Sequence, residues 1–408
     1  MSARPAPDQV AVRSVGHQLT FQDLDSDRLG LRQQVTPGAI ARLSTDDTGT
    51  VAAALIALDG WADEVQFVPP DVEIDTDATP IAPQTRGDEA APVPARLAKP
   101  TRWRLFTSGT TGEPKAIVHT TASLTRTIVA GACDGYVWGQ LYDPNRMAGL
   151  QVILQALHSG ATIVAPDLHA NLATRIRELI DSGVNAVSAT PSLWRQILQL
   201  PDIDSWPVRQ ITLGGEIADQ RILDALTSRF ASARVVHVFA STETGAAFSV
   251  KDGRAGFPVS YLNDPPRDIR LEIRADILHV HSPGVSAAGP DGFASTGDIV
   301  EVIDDRILFR GRASGVVNVG GADVWPETVE TILRRHPDVV DAVVGSKPNS
   351  MIGNVLIATV TLAPTAEVDG VTKRLRSWVR EQAPKSHVPA SVTVVDKLEV
   401  SATGKALR

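Results

Sequence analysis

The sequence predicts an α/β protein: a large N-terminal domain of helix-covered sheets with a β-rich subdomain, then a small α+β C-terminal domain. Three observations predict it. From Trp103 to Phe239, short apolar runs alternate with amphipathic stretches across short connections, the pattern of parallel strands covered by helices. From Ile269 to Arg310 the runs become β-rich and are separated by Gly and Asp turns. After Gly311 the last stretch mixes two helical patterns with three strand patterns. A chain of 408 residues holds two or three domains at roughly 100–200 residues each. The division is expected at 1–310 and 311–408.

Val10–Val15 and Leu19–Phe21 read as short strands and Ala52–Leu58 as a helix. Pro69–Lys99 is rich in Pro, Asp, Thr and Ala with little periodicity, and reads as a long surface connection. Strands are expected at Arg104–Thr107, Ala116–His119, Ala161–Ala165, Ala186–Ser188, Gln210–Leu213 and Val235–Phe239. Helices are expected at Thr121–Gly131, Leu150–Leu157, Leu172–Ser182, Ser192–Gln199 and Gln220–Phe230. The β-rich part reads as strands Ile269–Arg274, Ile277–His281, Ile299–Ile303 and Ile307–Arg310. The final part reads as helices Glu327–Arg335 and Thr372–Gln382 with strands Val339–Gly345, Val355–Leu362 and Ser391–Val395.

Composition narrows the class. A hydrophobic fraction of 43% supports a sizeable core. Net charge is 39 − 47 = −8, which argues against nucleic acid as a partner, since that needs a basic face. The lone cysteine, Cys133, rules out an internal disulfide and a cysteine-based zinc site. The N-terminus lacks an apolar signal core. The apolar run Val51–Leu58 ends at Asp59, far short of the ~20 residues of a bilayer span. The expectation is a soluble, cytoplasmic enzyme with no membrane span.

The strongest local signal is the string Thr107, Ser108, Gly109, Thr110, Thr111, Gly112, Glu113, Pro114, Lys115. Glycines let backbone approach a ligand, hydroxyls and amides donate to phosphate oxygens, and a lysine adds a point charge. The spacing is not that of a Walker A loop. Five further strings follow in order: Gly214-Gly215-Glu216; Phe239-Ala240-Ser241-Thr242-Glu243; Thr296-Gly297-Asp298; Gly311-Arg312 running on to Gly320-Gly321 and Pro326–Glu330; and Ser401–Arg408 around Lys405. Together they resemble, string by string, the motifs of the adenylate-forming (AMP-binding) superfamily. It comprises acyl- and aryl-CoA ligases, adenylation domains of peptide synthetases, and luciferases. The resemblance covers about three quarters of the chain. Leu19–Leu24 also resembles the start of these enzymes.

The resemblance implies a function. Such enzymes attack the α-phosphate of ATP with a carboxylate and release pyrophosphate. They then pass the acyl group to a thiol, here most simply coenzyme A. Two anions must meet, so positioned donors and positive charge carry the catalysis. Thr107, Ser108, Gly109, Thr110, Thr111, Gly112 and Lys115 correspond to the phosphate loop. Gly215, Glu216, Phe239, Ala240 and Ser241 correspond to the nucleotide pocket. Thr242 would meet the α-phosphate. Glu243 would hold Mg²⁺, a hard cation that prefers carboxylate oxygen. Asp298 would accept from the ribose hydroxyls, with Arg312 as a neighbouring donor. Lys405 would bridge the substrate carboxylate and the α-phosphate. Taken alone, Glu243 also fits a helix N-terminal acid, Asp298 a turn aspartate and Lys115 a solvated lysine. The small domain would be mobile, rotating about a hinge near 312–315 between two half-reactions. Gly320 and Gly321 would then pass a pantetheine arm, or simply form a strand turn.

The substrate pocket would be lined by Arg146, Met147, Gly149, Ser188, Gly214, Thr244, Gly245 and Ala246. Met147 falls where amino-acid-activating relatives carry an aspartate, so an apolar or aromatic acid is expected. Arg146 would contact an anionic group, or pair with a nearby acid such as Asp143. The pattern also departs from the family. The phosphate loop begins early, so the large domain is expected to be trimmed at its N-terminus. Ser314 replaces the usual charged hinge residue, Ala240 a glycine, and Ser401 a threonine. A ligase that loads an acyl carrier protein is one alternative, and a nucleotide-binding pseudoenzyme another.

Overall fold

The computed structural model describes residues 5–14, 17–82, 99–107, 114–128, 135–283, 289–401 and 403–407. Among these, four sheets organise the chain. The largest has eight strands in the order Gly245–Val250, Arg234–Ser241, Gln210–Gly214, Ala186–Ala189, Val137–Gly139, Thr162–Ala165, Val10–Ser14, His17–Thr20. Its inner strands run parallel and its outermost pairs antiparallel. A five-stranded sheet has the order Thr79–Pro80, Ile40–Leu43, Glu64–Phe67, Arg102–Thr107, Lys115–Thr120. Its last two strands are antiparallel, with Thr107 opposite Lys115, so the register closes the two ends of the phosphate-loop string.

Helix Thr48–Leu58 is buried on nearly all sides, as expected of a segment as apolar as Val51–Leu58 lying within a core shared by elements of both sheets. Its start is set by Asp47, which accepts from the Gly49 and Thr50 amides; such caps stabilise a helix by about 1 kcal/mol. Helix Phe21–Gln34 occupies a region that the sequence pattern leaves without one. Its apolar contacts are few, chiefly Leu24 and Leu31, and a Thr20–Asp23 capping box nucleates it. The helix expected over Thr121–Gly131 is described only as Thr121–Thr125; residues 129–131 lie outside the described residues.

The β-rich part is an antiparallel sheet ordered Phe257–Pro258, Arg306–Arg312, Ala294–Ile303, Ile277–His281, Arg270–Arg274. The chain leaves it after Arg312 and builds the last sheet from Val317–Val319, Ala322–Val324, Val339–Asn349, Gly353–Leu362 and Ser391–Val394. Helices Pro326–Arg334 and Val371–Gln382 pack on this sheet through Val329, Leu333, Leu375 and Val379. This part has its own core, apart from those of the preceding sheets.

A buried ionic cluster crosses between this last part and the large sheet's helices. Arg195 Nη2 lies 2.7 Å from Asp219, and Arg334 Nε lies 2.8 Å from Asp341. Weaker pairs cross over: Arg195 to Asp341 at 3.8 Å and Arg334 to Asp219 at 3.6 Å. Glu330 adds a contact to Arg334 at 3.3 Å.

Candidate active site

Strand ends of the large sheet converge on one cleft. The strand Gln210–Gly214 ends at Gly214-Gly215-Glu216, and the strand Arg234–Ser241 ends just before Thr242-Glu243. Parallel sheets place ligand-binding loops at the carboxyl ends of their strands. Antiparallel pairing sets Asp298 opposite Arg312, with Arg312 Nη1 3.4 Å from the carboxylate. The hairpin Glu399–Leu407 brings Lys405 to the same place.

Lys405 lies beside Gly215: a Cβ there would stand 3.5 Å from Lys405 Cε, an ordinary contact. Gly215 also holds a φ of +82°, which favours glycine. Protein atoms crowd Lys405, yet its surface still reaches water, so screening limits the burial effect. Burial lowers its pKa, Glu216, Asp298 and Glu243 pull it back up, and Arg312 adds to the lowering. Asp298 is pushed up by burial, with partial relief from Arg312 and Lys405. Lys405 thus feels the charges of Glu216, Arg312, Asp298 and Glu243, and Asp298 those of Arg312, Lys405 and Glu243.

Glu216 accepts from two amides, Ala406 N–H at 3.0 Å and Ser192 N–H at 2.9 Å. The Thr190 hydroxyl donates to the Gly404 carbonyl and also caps the helix beginning at Pro191. Glu216 therefore grips the lysine hairpin, whereas the motif placed it simply among the nucleotide-pocket residues. Phe239 stacks on Phe248 and Phe309, with ring centroids 5.2 and 5.3 Å apart, and so joins the aromatic layer against the β-rich sheet. Ala240 lies opposite Ala246 in the strand pairing. Ser241 and Thr244 hydrogen-bond to each other across the turn that presents Thr242 and Glu243.

Around the expected substrate pocket, Met147 reaches Gly245: a Cβ on Gly245 would stand 3.5 Å from Met147 Cε. Gly245 has a φ of +67°. Arg146 is engaged by Asp71 and, at 3.3 Å, by Asp143, so its charge is matched within the protein. Gly149 does not open a pocket. A Cβ there would stand 2.1 Å from the Asp143 carbonyl oxygen, so this glycine serves close packing between its helix and the preceding turn. Ser188 lies beside the buried Tyr142 hydroxyl, and burial raises the tyrosine's pKa. Gly214 leaves open space, its nearest neighbour for a Cβ being Val238 O at 3.9 Å. The Ala246 carbonyl accepts from Arg126 at 2.7 Å.

Thr107 and Lys115, the two ends of the string expected to bind phosphate, pair across adjacent strands, and Lys115 is exposed. Ser108, Gly109, Thr110, Thr111 and Gly112 lie outside the described residues. Gly320 and Gly321 form the turn of a hairpin, both with positive φ, and a Cβ on Gly321 would meet open space.

One residue escaped the motifs. His119 is fully buried, with Nε2 2.7 Å from the Thr242 carbonyl and Nδ1 3.1 Å from Ser123 Oγ. Burial lowers its pKa, so the neutral ring carries its proton on Nε2 and donates to the carbonyl. The available signal was a histidine at an inward position of the strand that leaves the phosphate loop.

The profile of the AMP-binding enzyme family matches residues 43–271, and that of its C-terminal domain matches residues 328–405. The chain belongs to the AMP-binding enzyme family. This AMP-binding enzyme is similar to a 2-succinylbenzoate–CoA ligase of Listeria monocytogenes serotype 4b, with 25% identity over 74% of this chain and 68% of the relative. It is also similar to the fatty acid–[acyl-carrier-protein] ligase ScoC of Streptomyces coeruleorubidus, with 26% identity over 75% of this chain and 66% of that one. Its fold matches that of the o-succinylbenzoate CoA synthetase MenE from Bacillus subtilis, solved with an acyl-adenylate. The TM-score is 0.68 at 19% identity, covering 99% of this chain and 95% of that one. It is an adenylate-forming, ATP-dependent ligase. Among the described residues no helix is long and apolar enough to cross a membrane.

Proposed function

We propose that this AMP-binding enzyme activates an apolar or aromatic carboxylic acid with ATP and passes the acyl group to the thiol of coenzyme A. A carboxylate oxygen attacks the α-phosphorus, the bond to pyrophosphate breaks, and an acyl-AMP forms. The thiol then attacks the acyl carbon and AMP leaves. The observation that carries the reading is the convergence of Lys405, Arg312, Asp298 and Glu243 on one cleft, each altering the electrostatics of another.

Those residues fit the nucleotide and its metal. Asp298 is a largely buried carboxylate whose nearest cation stands 3.4 Å away, so it retains acceptor capacity for ribose hydroxyls. Arg312 donates beside it. Lys405 draws the attacking carboxylate and the α-phosphate together. Thr242 meets the α-phosphate, and the string from Thr107 to Lys115 holds the remaining phosphates. Glu243 would hold Mg²⁺, which supplies charge neutralisation along the polyphosphate. Met147 beside Gly245 offers an apolar surface where an ammonium would need a counter-charge. We place the domain division at 310/311, within the last strand of the β-rich sheet, with the hinge at 312–315, where the chain leaves that sheet.

A carrier-protein acceptor is the second reading, and the similarity to ScoC favours it. The test is pyrophosphate release from ATP with benzoate, 2-succinylbenzoate, octanoate and phenylalanine, with and without coenzyme A, read by mass. An acyl-CoA product supports the first reading. Acyl-AMP without acyl-CoA supports the second. No release with any acid contradicts both.

A further inference from the structure

We propose that Glu216 is a positioning residue for Lys405, fastening the C-terminal hairpin to the large sheet's helices so that the lysine enters the cleft. The proposal rests on the reading of Lys405 as the adenylation lysine.

The hairpin is internally braced. Ser401 N–H donates to Lys405 O at 2.7 Å, Gly404 N–H to Ser401 O at 2.8 Å, and Leu407 N–H to Glu399 O at 3.0 Å. A braced hairpin needs an anchor near its tip to fix its direction. The structure supplies anchors on both sides of Lys405. The Gly404 carbonyl accepts from Thr190, and the Ala406 N–H donates to Glu216. The second Glu216 oxygen is held by Ser192 N–H, so the carboxylate is oriented from the large-sheet side before the hairpin arrives. A carboxylate holding two amides makes charge-assisted bonds, stronger than neutral ones.

Two members of Gly214-Gly215-Glu216 then have a mechanical reason. Gly215 takes the positive φ that turns the chain beside the lysine stem, and Glu216 pins the Ala406 amide. The same carboxylate favours the lysine's charged form, against its burial. The hairpin can still depart. Both anchors are hydrogen bonds at a surface between two separate cores, and the Ser192 bond keeps Glu216 in place afterwards.

The test compares Glu216→Gln and Thr190→Val with the wild type and with Lys405→Met. The side-chain amide that Glu216→Gln introduces keeps the shape but turns a donor toward one of the two N–H groups. Three readouts separate positioning from general damage: acid-dependent ATP–pyrophosphate exchange with the most active acid of the panel above, acyl transfer to coenzyme A from supplied acyl-adenylate, and amide hydrogen exchange across Ser401–Leu407 without substrate. For Glu216→Gln we expect adenylation to fall about 10- to 100-fold, the scale of a misplaced catalytic group. Acyl transfer should stay within about twofold, melting should be unchanged, and hairpin amides should exchange faster. Full adenylation by Glu216→Gln with Lys405→Met inactive overturns the proposal alone. So does an equal fall in both half-reactions, or unchanged exchange at the hairpin. Full adenylation by Lys405→Met overturns the underlying reading and the proposal together.

Discussion

Asp298 and Arg312 face each other across two antiparallel strands, 3.4 Å apart, and the arginine's charge bears on both ends of a pH window set by Asp298 and Lys405. Burial raises the Asp298 pKa, so nucleotide binding that needs its anion should weaken as pH falls, earlier than for an ordinary aspartate near ~3.9. Burial lowers the Lys405 pKa, so adenylation should weaken as pH rises, earlier than for an ordinary lysine near ~10.4. Arg312 lowers both values. Arg312→Ala should therefore move both limbs of the adenylation rate profile to higher pH. A pH profile of kcat/KM for ATP checks this, and a shift of either limb to lower pH contradicts the assignment.

Lys405→Met should cut adenylation by about 10²–10³-fold, the usual loss when one donor to developing charge is removed. Transfer from supplied acyl-adenylate should survive, because the lysine acts on the first step. Equal loss in both steps would show instead that Lys405 holds the two domains together. Stopped-flow measurement of each half-reaction separates these outcomes.

Much of this site is legible in the sequence because its residues sit in short contiguous strings. Gly215, Glu216, Thr242, Glu243, Asp298, Arg312 and Lys405 each belong to a motif, and the fold brings them together. What a motif cannot carry is partnership across distance. Glu216 and Ala406 are 190 residues apart, and their bond depends on how two separate cores dock. Gly149 misleads for a similar reason: a glycine that meets the Asp143 backbone looks, in sequence, like one that lines a pocket. The helix Phe21–Gln34 escapes the periodicity because its apolar positions are sparse and its start is written in a cap. Arg146 fits two readings in sequence, and only the fold supplies Asp71 as a partner.

His119 should matter through Thr242 and Glu243. Its Nε2–H satisfies the Thr242 carbonyl, and an unpaired buried acceptor costs about 1–3 kcal/mol. In His119→Leu, the turn loses this tether, and the Mg²⁺ concentration giving half-maximal adenylation should rise several-fold. His119→Gln restores a donor and should recover part of the effect. If the Mg²⁺ requirement is the same in both variants as in the wild type, the histidine serves only the core.

The buried cluster of Arg195, Asp219, Arg334 and Asp341 makes a prediction about stability. Its closest pairs lie within each side, Arg195–Asp219 at 2.7 Å and Arg334–Asp341 at 2.8 Å, and its crossing pairs are longer, at 3.6 and 3.8 Å. Each arginine is thus paired within its own side, Arg195 with Asp219 and Arg334 with Asp341 and Glu330, which lets the surfaces separate without leaving an arginine unpaired. Asp341→Ala removes the shortest partner of Arg334 but leaves it Glu330 and Asp219, so it should destabilise the C-terminal part by less than the ~3–5 kcal/mol of a fully stranded buried charge. Arg334→Met with Asp341→Leu should recover only part, because Glu330 loses the Arg334 cation. The pH sign follows from Asp219. Burial pushes its pKa up, but Arg195 and Arg334 outweigh that and leave it lowered. Its contribution is therefore present above the unfolded aspartate pKa, ~3.9, and is lost only as pH falls through the lower folded value. Urea melts of the wild type and Asp219→Asn should converge below that range and separate above it. Melts that remain equally far apart at all pH values would show that packing, rather than charge, sets the cost.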